Sequence, residues 1–271
     1  LNGLMGPAAG QLGCTISVNV TSGVGQTSAE QTGCLANDGT APTAWVNTTS
    51  SITGVANVNN GVTQQCLTVV PPTLTKSFYL PQIMEGGVST LTFTITKDAS
   101  LVAQAASNIG FTDNLPANLF VATPSSMNTT CAVAPAPTLT AVAGSQTVTV
   151  AGLTVPAGQL SCTVTVQVTS FTAQNVATDC GAPGDAPYHN RPTNMSGITN
   201  NTLANNADAC LQVRKLPVIT KKFLPAAGIQ VGGIAKLEFT ITNPANNLAV
   251  DGIQFQDILP VNLKYAVPDN L

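Results

Sequence analysis

The sequence predicts an all-β protein made of consecutive copies of one antiparallel β-sandwich, each stapled by disulfides. Three observations predict it. Short runs alternate apolar residues with threonine, the chain repeats itself at a period of about 146 residues, and its seven cysteines keep step with that period.

The alternating runs are Ile16 to Val20, Leu91 to Thr96, Thr147 to Val150, Thr163 to Val168 and Leu237 to Ile241. A period of two puts alternate side chains on opposite faces, so Val, Ile, Leu and Phe face a core while Thr, Ser and Gln face outward. β-Branched residues suit such a surface because their χ1 freedom is already limited. Pro, Gly and Asn clusters between the runs, such as Leu115 to Asn118 and Pro156 to Gly158, read as turns. The segment Ala99 to Ala106 comes nearest to a helical pattern and is expected to be a loop or a single short turn. A string of this kind folds most naturally as an antiparallel sandwich.

Composition narrows the function classes. Twelve acidic and nine basic residues in 271 give a net charge of −3 and a charged fraction of 8%, against about 25% in ordinary soluble domains. Hydrophobic residues still make up 44%, too many for a disordered chain. The charge is too weak to bind nucleic acid through a basic field. No apolar run approaches the length of a membrane span, so none is expected in this segment.

The repeat carries more information than any single motif. Thr75-Lys76 and Phe78 return as Thr220-Lys221 and Phe223. Gly86-Gly87 followed by Leu91 to Thr96 returns as Gly232-Gly233 followed by Leu237 to Thr242. Phe111, Asp113, Leu115-Pro116 and Asn118-Leu119 return as Phe255, Asp257, Leu259-Pro260 and Asn262-Leu263. In the other direction, Gly10-Gln11-Leu12 and Cys14 anticipate Gly158-Gln159-Leu160 and Cys162, while Cys34 and Cys66 anticipate Cys180 and Cys210. The spacings lie between 144 and 148. Residues 1–72 therefore read as the C-terminal half of one unit, 73–214 as a complete unit, and 217–271 as the N-terminal half of the next. The expectation is a window on a longer tandem array, or a subunit whose half-units are completed by neighbours.

This phasing explains an odd number of cysteines. The complete unit holds Cys131, Cys162, Cys180 and Cys210, and the first segment holds the last three positions as Cys14, Cys34 and Cys66. Four cysteines allow three pairings, and sequence alone does not choose among them. The favoured set is Cys131–Cys162, Cys180–Cys210 and Cys34–Cys66, with Cys14 unpaired in this chain. Closing loops of that length contributes about 3–4 kcal/mol each. No CxxC occurs, and the single His189 has no analogue in the other units, so neither metal nor cofactor is expected. Disulfides imply an oxidising compartment, hence export.

The ordered motifs (Thr-Lys-x-Phe, Gly-Gly, Leu-Thr-Phe-Thr-Ile-Thr, Phe-x-Asp-x-Leu-Pro and the Pro156 to Val168 strand) resemble the tandem Ig-like repeats of large bacterial surface proteins, the domain-of-unknown-function-eleven group and its relatives. The resemblance covers all three segments, most strongly 73–128 and 153–170. It implies an Ig-like sandwich, export and a place on long envelope proteins, and it supplies no catalytic residues. In that group a cysteine pair near Cys131 and Cys162 is common, whereas Cys180 and Cys210 look like an addition, which supports the favoured pairing.

Single residues have bland and sharp readings. Asp113 and Asp257 precede Leu-Pro turns and are expected to accept backbone N–H bonds there; no second acid lies close enough in sequence for calcium. Lys76 and Lys221, on the expected first strand, are candidates for an isopeptide bond to an asparagine on the last strand. That chemistry needs a buried acid beside the amine. Glu238 would serve in the third unit, but its counterpart is Thr92, which counts against the idea. Tyr188, His189 and Arg191 form a varied polar cluster in a Pro- and Gly-rich stretch, a candidate ligand loop whose plainer reading is a solvated connection. Asn19, Asn47, Asn128, Asn194 and Asn200 all begin N-x-S/T triplets, which arise easily in a Thr-rich chain.

The expected function is structural: a secreted or cell-surface stalk or filament whose partners are copies of itself or adjacent repeats, with strand exchange between neighbours as one assembly mode. The alternative is an adhesin or carbohydrate-binding module that meets a host or environmental surface through 171–210. No recurring nucleophile–base pair argues for an enzyme.

Overall fold

The computed structural model describes residues 6–20, 44–47, 49–63, 65–132, 135–173, 188–204, 207–245, 247 and 249–267. The chain divides into two compact units, Leu1–Pro71 and Pro72–Leu271. The first contains one described hairpin, β1 (Ala44–Asn47) antiparallel to β2 (Gln65–Thr68). Ile16 to Val20 is not a strand, and Ile16, Val18 and Val20 are exposed. Alternation makes a strand only where a neighbour supplies hydrogen bonds, and among the described residues none runs beside this segment.

In the second unit the expected sandwich is present, and its regular structure among the described residues is all β apart from short 3-10 turns. One sheet contains β3 (Thr73–Phe78), β5 (Val88–Thr96), β7 (Phe120–Val121), β8 (Asn128–Thr129), β11 (Ser161–Thr169) and β14 (Thr202–Leu203). Their order is β14-β3-β5-β11-β7, with β8 also on β11. The second sheet runs β13-β6-β10-β9 and is made of β6 (Ala106–Asn114), β9 (Thr138–Ala141), β10 (Thr147–Val155) and β13 (Met195–Thr199). A smaller sheet orders β12 (Tyr188–Asn190), β15 (Ala209–Arg214) and β4 (Gln82–Met84). Two pairings depart from the antiparallel expectation: β14 lies parallel to β3, and β15 parallel to β4.

The core forms where the alternating runs face one another. Leu91, Phe93 and Ile95 of β5 and Val164, Val166 and Val168 of β11 meet Ile109 and Phe111 of β6 and Val148, Val150 and Leu153 of β10, all essentially fully buried. The Phe93 and Phe111 rings pack 4.9 Å apart, tilted by 43°. Burying each such side chain contributes about 1.5–3 kcal/mol. Across β3, β5 and β11 the register sets Thr75 beside Thr94 beside Thr163, and Ser77 beside Thr92 beside Thr165. The outward face of this sheet is therefore a ladder of hydroxyls. As expected, Ala99–Leu101 forms one short turn, of 3-10 type, capped by the Asp98 carboxylate accepting from Ser100 N.

Within residues 217–271 the pairing of β3 with β5 recurs. β16 (Val218–Leu224) and β17 (Lys236–Thr242) pair with Lys221 opposite Phe239 and Phe223 opposite Leu237. In β3 and β5 the equivalent pairs are Lys76 opposite Phe93 and Phe78 opposite Leu91. Phe239 and Phe255 stack at 5.0 Å and 46°, almost the Phe93–Phe111 geometry.

Candidate functional site

Three strands bring a lysine, an aspartate and an asparagine together inside the second unit. On β3, Leu74, Lys76 and Phe78 alternate toward the core. On β6 the inward series is Ile109, Phe111 and Asp113. On β12, Tyr188 and Asn190 are both buried. The Lys76 and Asp113 side chains retain 1% and 0% of their exposure, and Asn190 retains 0%.

The polar groups answer one another. Lys76 Nζ donates to Asp113 Oδ1 at 3.0 Å, to Asn190 Oδ1 at 2.6 Å and to the Arg191 carbonyl at 2.8 Å. These three acceptors use every N–H of an ammonium group. Asn190 Nδ2 donates to Asp113 Oδ2, so the carboxylate bridges amine and amide. Burial pushes the Lys76 amine below its ordinary pKa, opposed by the attraction of Asp113. It pushes the Asp113 carboxyl above its ordinary value, opposed by Lys76 and by hydrogen bonds from Asn190 and Lys76. Burial is the larger influence on both, because a charge loses more hydration here than one partner restores.

This geometry corrects the expectation for Asp113. Its carboxylate is not a turn group bonded to backbone N–H. β6 continues through Asn114, and counting by twos from Phe111 turns Asp113 into the core before the chain bends at Leu115. Glu238 is also not the acid beside Lys221. It lies opposite Lys222 in the β16–β17 register and pairs with Lys222 and Lys236. The acid that contacts Lys221 is Asp257, the counterpart of Asp113. Asn190 escaped the sequence reading, although one signal for it existed. Asn190 lies opposite Ala209, one step from the His189–Cys210 pair. Asn47 lies opposite Gln65, one step from the Val46–Cys66 pair.

The remaining candidates are placed as follows. A disulfide joins Cys131, after β8, to Cys162 of β11, with Cα atoms 5.0 Å apart. Cys210 of β15 is also disulfide-bonded, while Cys34 and Cys180 lie outside the described residues, as does the side chain of Cys66. Cys14 is free and exposed. Tyr188 and His189 are on strand β12 and not together on a loop. The Tyr188 hydroxyl donates to the Thr172 carbonyl at 2.9 Å. His189 Nδ1 stands 3.5 Å from an Asp208 carboxylate oxygen. Arg191 is exposed, its backbone N–H donating to Asn194 Oδ1 at 2.9 Å. Among the described residues there is no cluster of His, Cys, Asp or Glu fit to hold a metal. The Lys76–Asp113–Asn190 group is closed to solvent.

Two stretches, residues 72–213 and 217–271, match the family described as Domain of unknown function (DUF7933). The chain belongs to this family. Both DUF7933 stretches carry the Lys–Asp pair just described, as Lys76–Asp113 and Lys221–Asp257. No curated protein matches the chain. Among solved structures, the major pilin subunit BcpA of Bacillus cereus aligns at 14% identity and a TM-score of 0.34, over 66% of this chain and 49% of that one. A non-cellulosomal cohesin from Archaeoglobus fulgidus aligns at 9% and 0.31, over 52% and 91%. The collagen adhesin of S. aureus aligns at 8% and 0.28, over 68% and 57%. In the described residues no helix is long and apolar enough to cross a membrane.

Proposed function

We propose that the chain is a structural protein of the cell exterior, a stretch of stalk or filament in which DUF7933 sandwiches follow one another as in the tandem surface repeats it resembles. The three-part division into 1–72, 73–214 and 217–271 is part of this reading. The observation that carries it is the recurrence of one geometry along the chain. The β3–β5 register, the Phe93–Phe111 stack and the Lys76–Asp113 pair all return in 217–271.

Surface chemistry supports the same reading. The outward hydroxyl ladder carries almost no charge, which suits domains that lie against one another, because burying charge at such contacts costs several kcal/mol per ion. In 217–271 the repeat's apolar face is open: Ile241 and Phe255 are 44% and 52% exposed, where Ile95 and Phe111 are 0% and 1%. A face of this kind is covered by the later strands of a unit, supplied by the same chain or donated by a neighbouring copy. Disulfides fit an exported protein.

Electron microscopy of native material, with antibody raised against 73–214, tests the proposal. Labelled continuous fibres or stalks on the cell exterior are expected. Label confined to the cell interior would overturn it. Binding of 73–214 to a glycan array, lost on removing the 171–210 segment, would favour the adhesin reading instead.

A further inference from the structure

We propose that Lys76 and Asn190 become joined by an intramolecular isopeptide bond, with Asp113 as the acid–base group between them. The first support is distance. Lys76 Nζ lies 2.6 Å from Asn190 Oδ1. A carbonyl bond is about 1.2 Å long, so the amide carbon is no more than about 3.8 Å from the amine. Productive attack begins from about 3–3.5 Å. The second support is the carboxyl. Asp113 Oδ1 contacts the amine, while Asp113 Oδ2 accepts from Asn190 Nδ2. One acid therefore touches both the incoming and the departing nitrogen.

The step balances without any co-reactant. A proton passes from the Lys76 ammonium to the Asp113 carboxylate, leaving a free amine and a neutral acid. The Nζ lone pair adds to Asn190 Cγ and the carbonyl π pair moves onto Oδ1. Asp113 then takes a proton from Nζ and gives one to Nδ2. The carbonyl re-forms as the Cγ–Nδ2 bond breaks, its electron pair leaving on nitrogen. One C–N bond forms, one breaks, ammonia departs, and nothing is oxidised or reduced. Burial favours the neutral pair from which the step starts, lowering the Lys76 pKa and raising that of Asp113. It also keeps water from competing for the amide.

A third support comes from elsewhere in the chain. A buried ion pair alone has no need of an asparagine, yet Asn47 occupies the register of Asn190 beside the equivalent cysteine, and Lys221 contacts Asp257. All three residue types recur in phase. The bond would tie the first strand of the unit, β3, to β12 across a separation of 114 residues. It holds or fails independently of the scaffold reading, since the mass of the chain reports it whether or not fibres exist.

Intact mass spectrometry of the purified, disulfide-reduced full chain is the test. The wild-type chain is expected to be lighter than its sequence by one ammonia, with a branched tryptic peptide linking the Lys76 and Asn190 segments. Lys76→Ala, Asn190→Ala and Asp113→Asn are each expected at the full mass of their own sequences. Asp113→Asn keeps the shape of the site, and circular dichroism checks that it remains folded. A wild-type chain at its full sequence mass would overturn the proposal. So would an ammonia loss that survives Lys76→Ala, or one undiminished in Asp113→Asn.

Discussion

Gly86 and Gly87 show how tightly single positions are specified. Gly86 adopts φ +77°, a left-handed conformation that costs other L-residues about 1–2 kcal/mol. A Cβ on Gly87 would meet the Met84 carbonyl oxygen at 2.9 Å, which is backbone and does not move aside cheaply. Their counterparts repeat this: Gly232 has φ +82°, and a Cβ on Gly233 would meet Gln230 O at 3.0 Å. Gly87→Ala is accordingly expected to lower stability by about 1–3 kcal/mol in urea unfolding, the usual range for overpacking. The buried site sets a larger stake. Asp113→Ala removes the acid partner of the buried Lys76 amine and, with it, the group that joins Lys76 to Asn190, and a loss of at least about 3–5 kcal/mol is expected in the same measurement. Lys76 was legible as a special first-strand lysine because its motif recurs. Asp113 was not, because Phe-x-Asp-x-Leu-Pro looks like the start of a turn, and its contact to Lys76 crosses from one sheet to the other. Asn190 was hidden further, since only tertiary folding brings β12 to β3.

At the level of elements, the two long central strands carry most of the sandwich. β5 and β11 pair over nine residues without a register shift, from Ser161 opposite Thr96 to Thr169 opposite Val88. From Leu91 to Thr96 and from Cys162 to Val168 each alternates apolar inward with polar outward, so slipping by one residue would reverse every side chain. Phe93→Ala removes a fully buried ring from the Phe93–Phe111 stack and is expected to cost about 3–5 kcal/mol by urea unfolding. The Cys131–Cys162 bond fastens the segment after β8 to β11. Replacing both cysteines by alanine should cost about 3–4 kcal/mol under oxidising conditions, shrinking sharply when wild type and variant are compared in reductant. The central strands could be read from sequence because alternation is local. The parallel additions of β14 to β3 and β15 to β4 could not, because pairing partners far apart in sequence leave no mark on either strand. Ile16 to Val20 makes the complementary point: correct alternation, yet no strand, with no neighbour beside it among the described residues.

For the molecule as a whole, repetition was the most legible feature, since motifs 144 to 148 residues apart are visible without any folding argument. What lies against each open face was not legible, because it depends on strands beyond the local pattern. If 217–271 is the front of the same sandwich, a copy of 128–214 fused after it is expected to close a second core. Amide exchange at Ile241 and Phe255 should slow by orders of magnitude relative to the unextended chain. Unchanged exchange would mean that 217–271 is not the front of the same sandwich.

On the reading proposed above, residues 73–214 are one self-sufficient copy of the repeated sandwich. Urea unfolding of that segment expressed alone, followed by both circular dichroism and amide exchange, tests it most directly. A single cooperative transition, the same by both probes, is expected, with β5, β6, β10 and β11 the last amides to exchange. A gradual, probe-dependent loss of structure, or a segment unfolded before any urea is added, would contradict it.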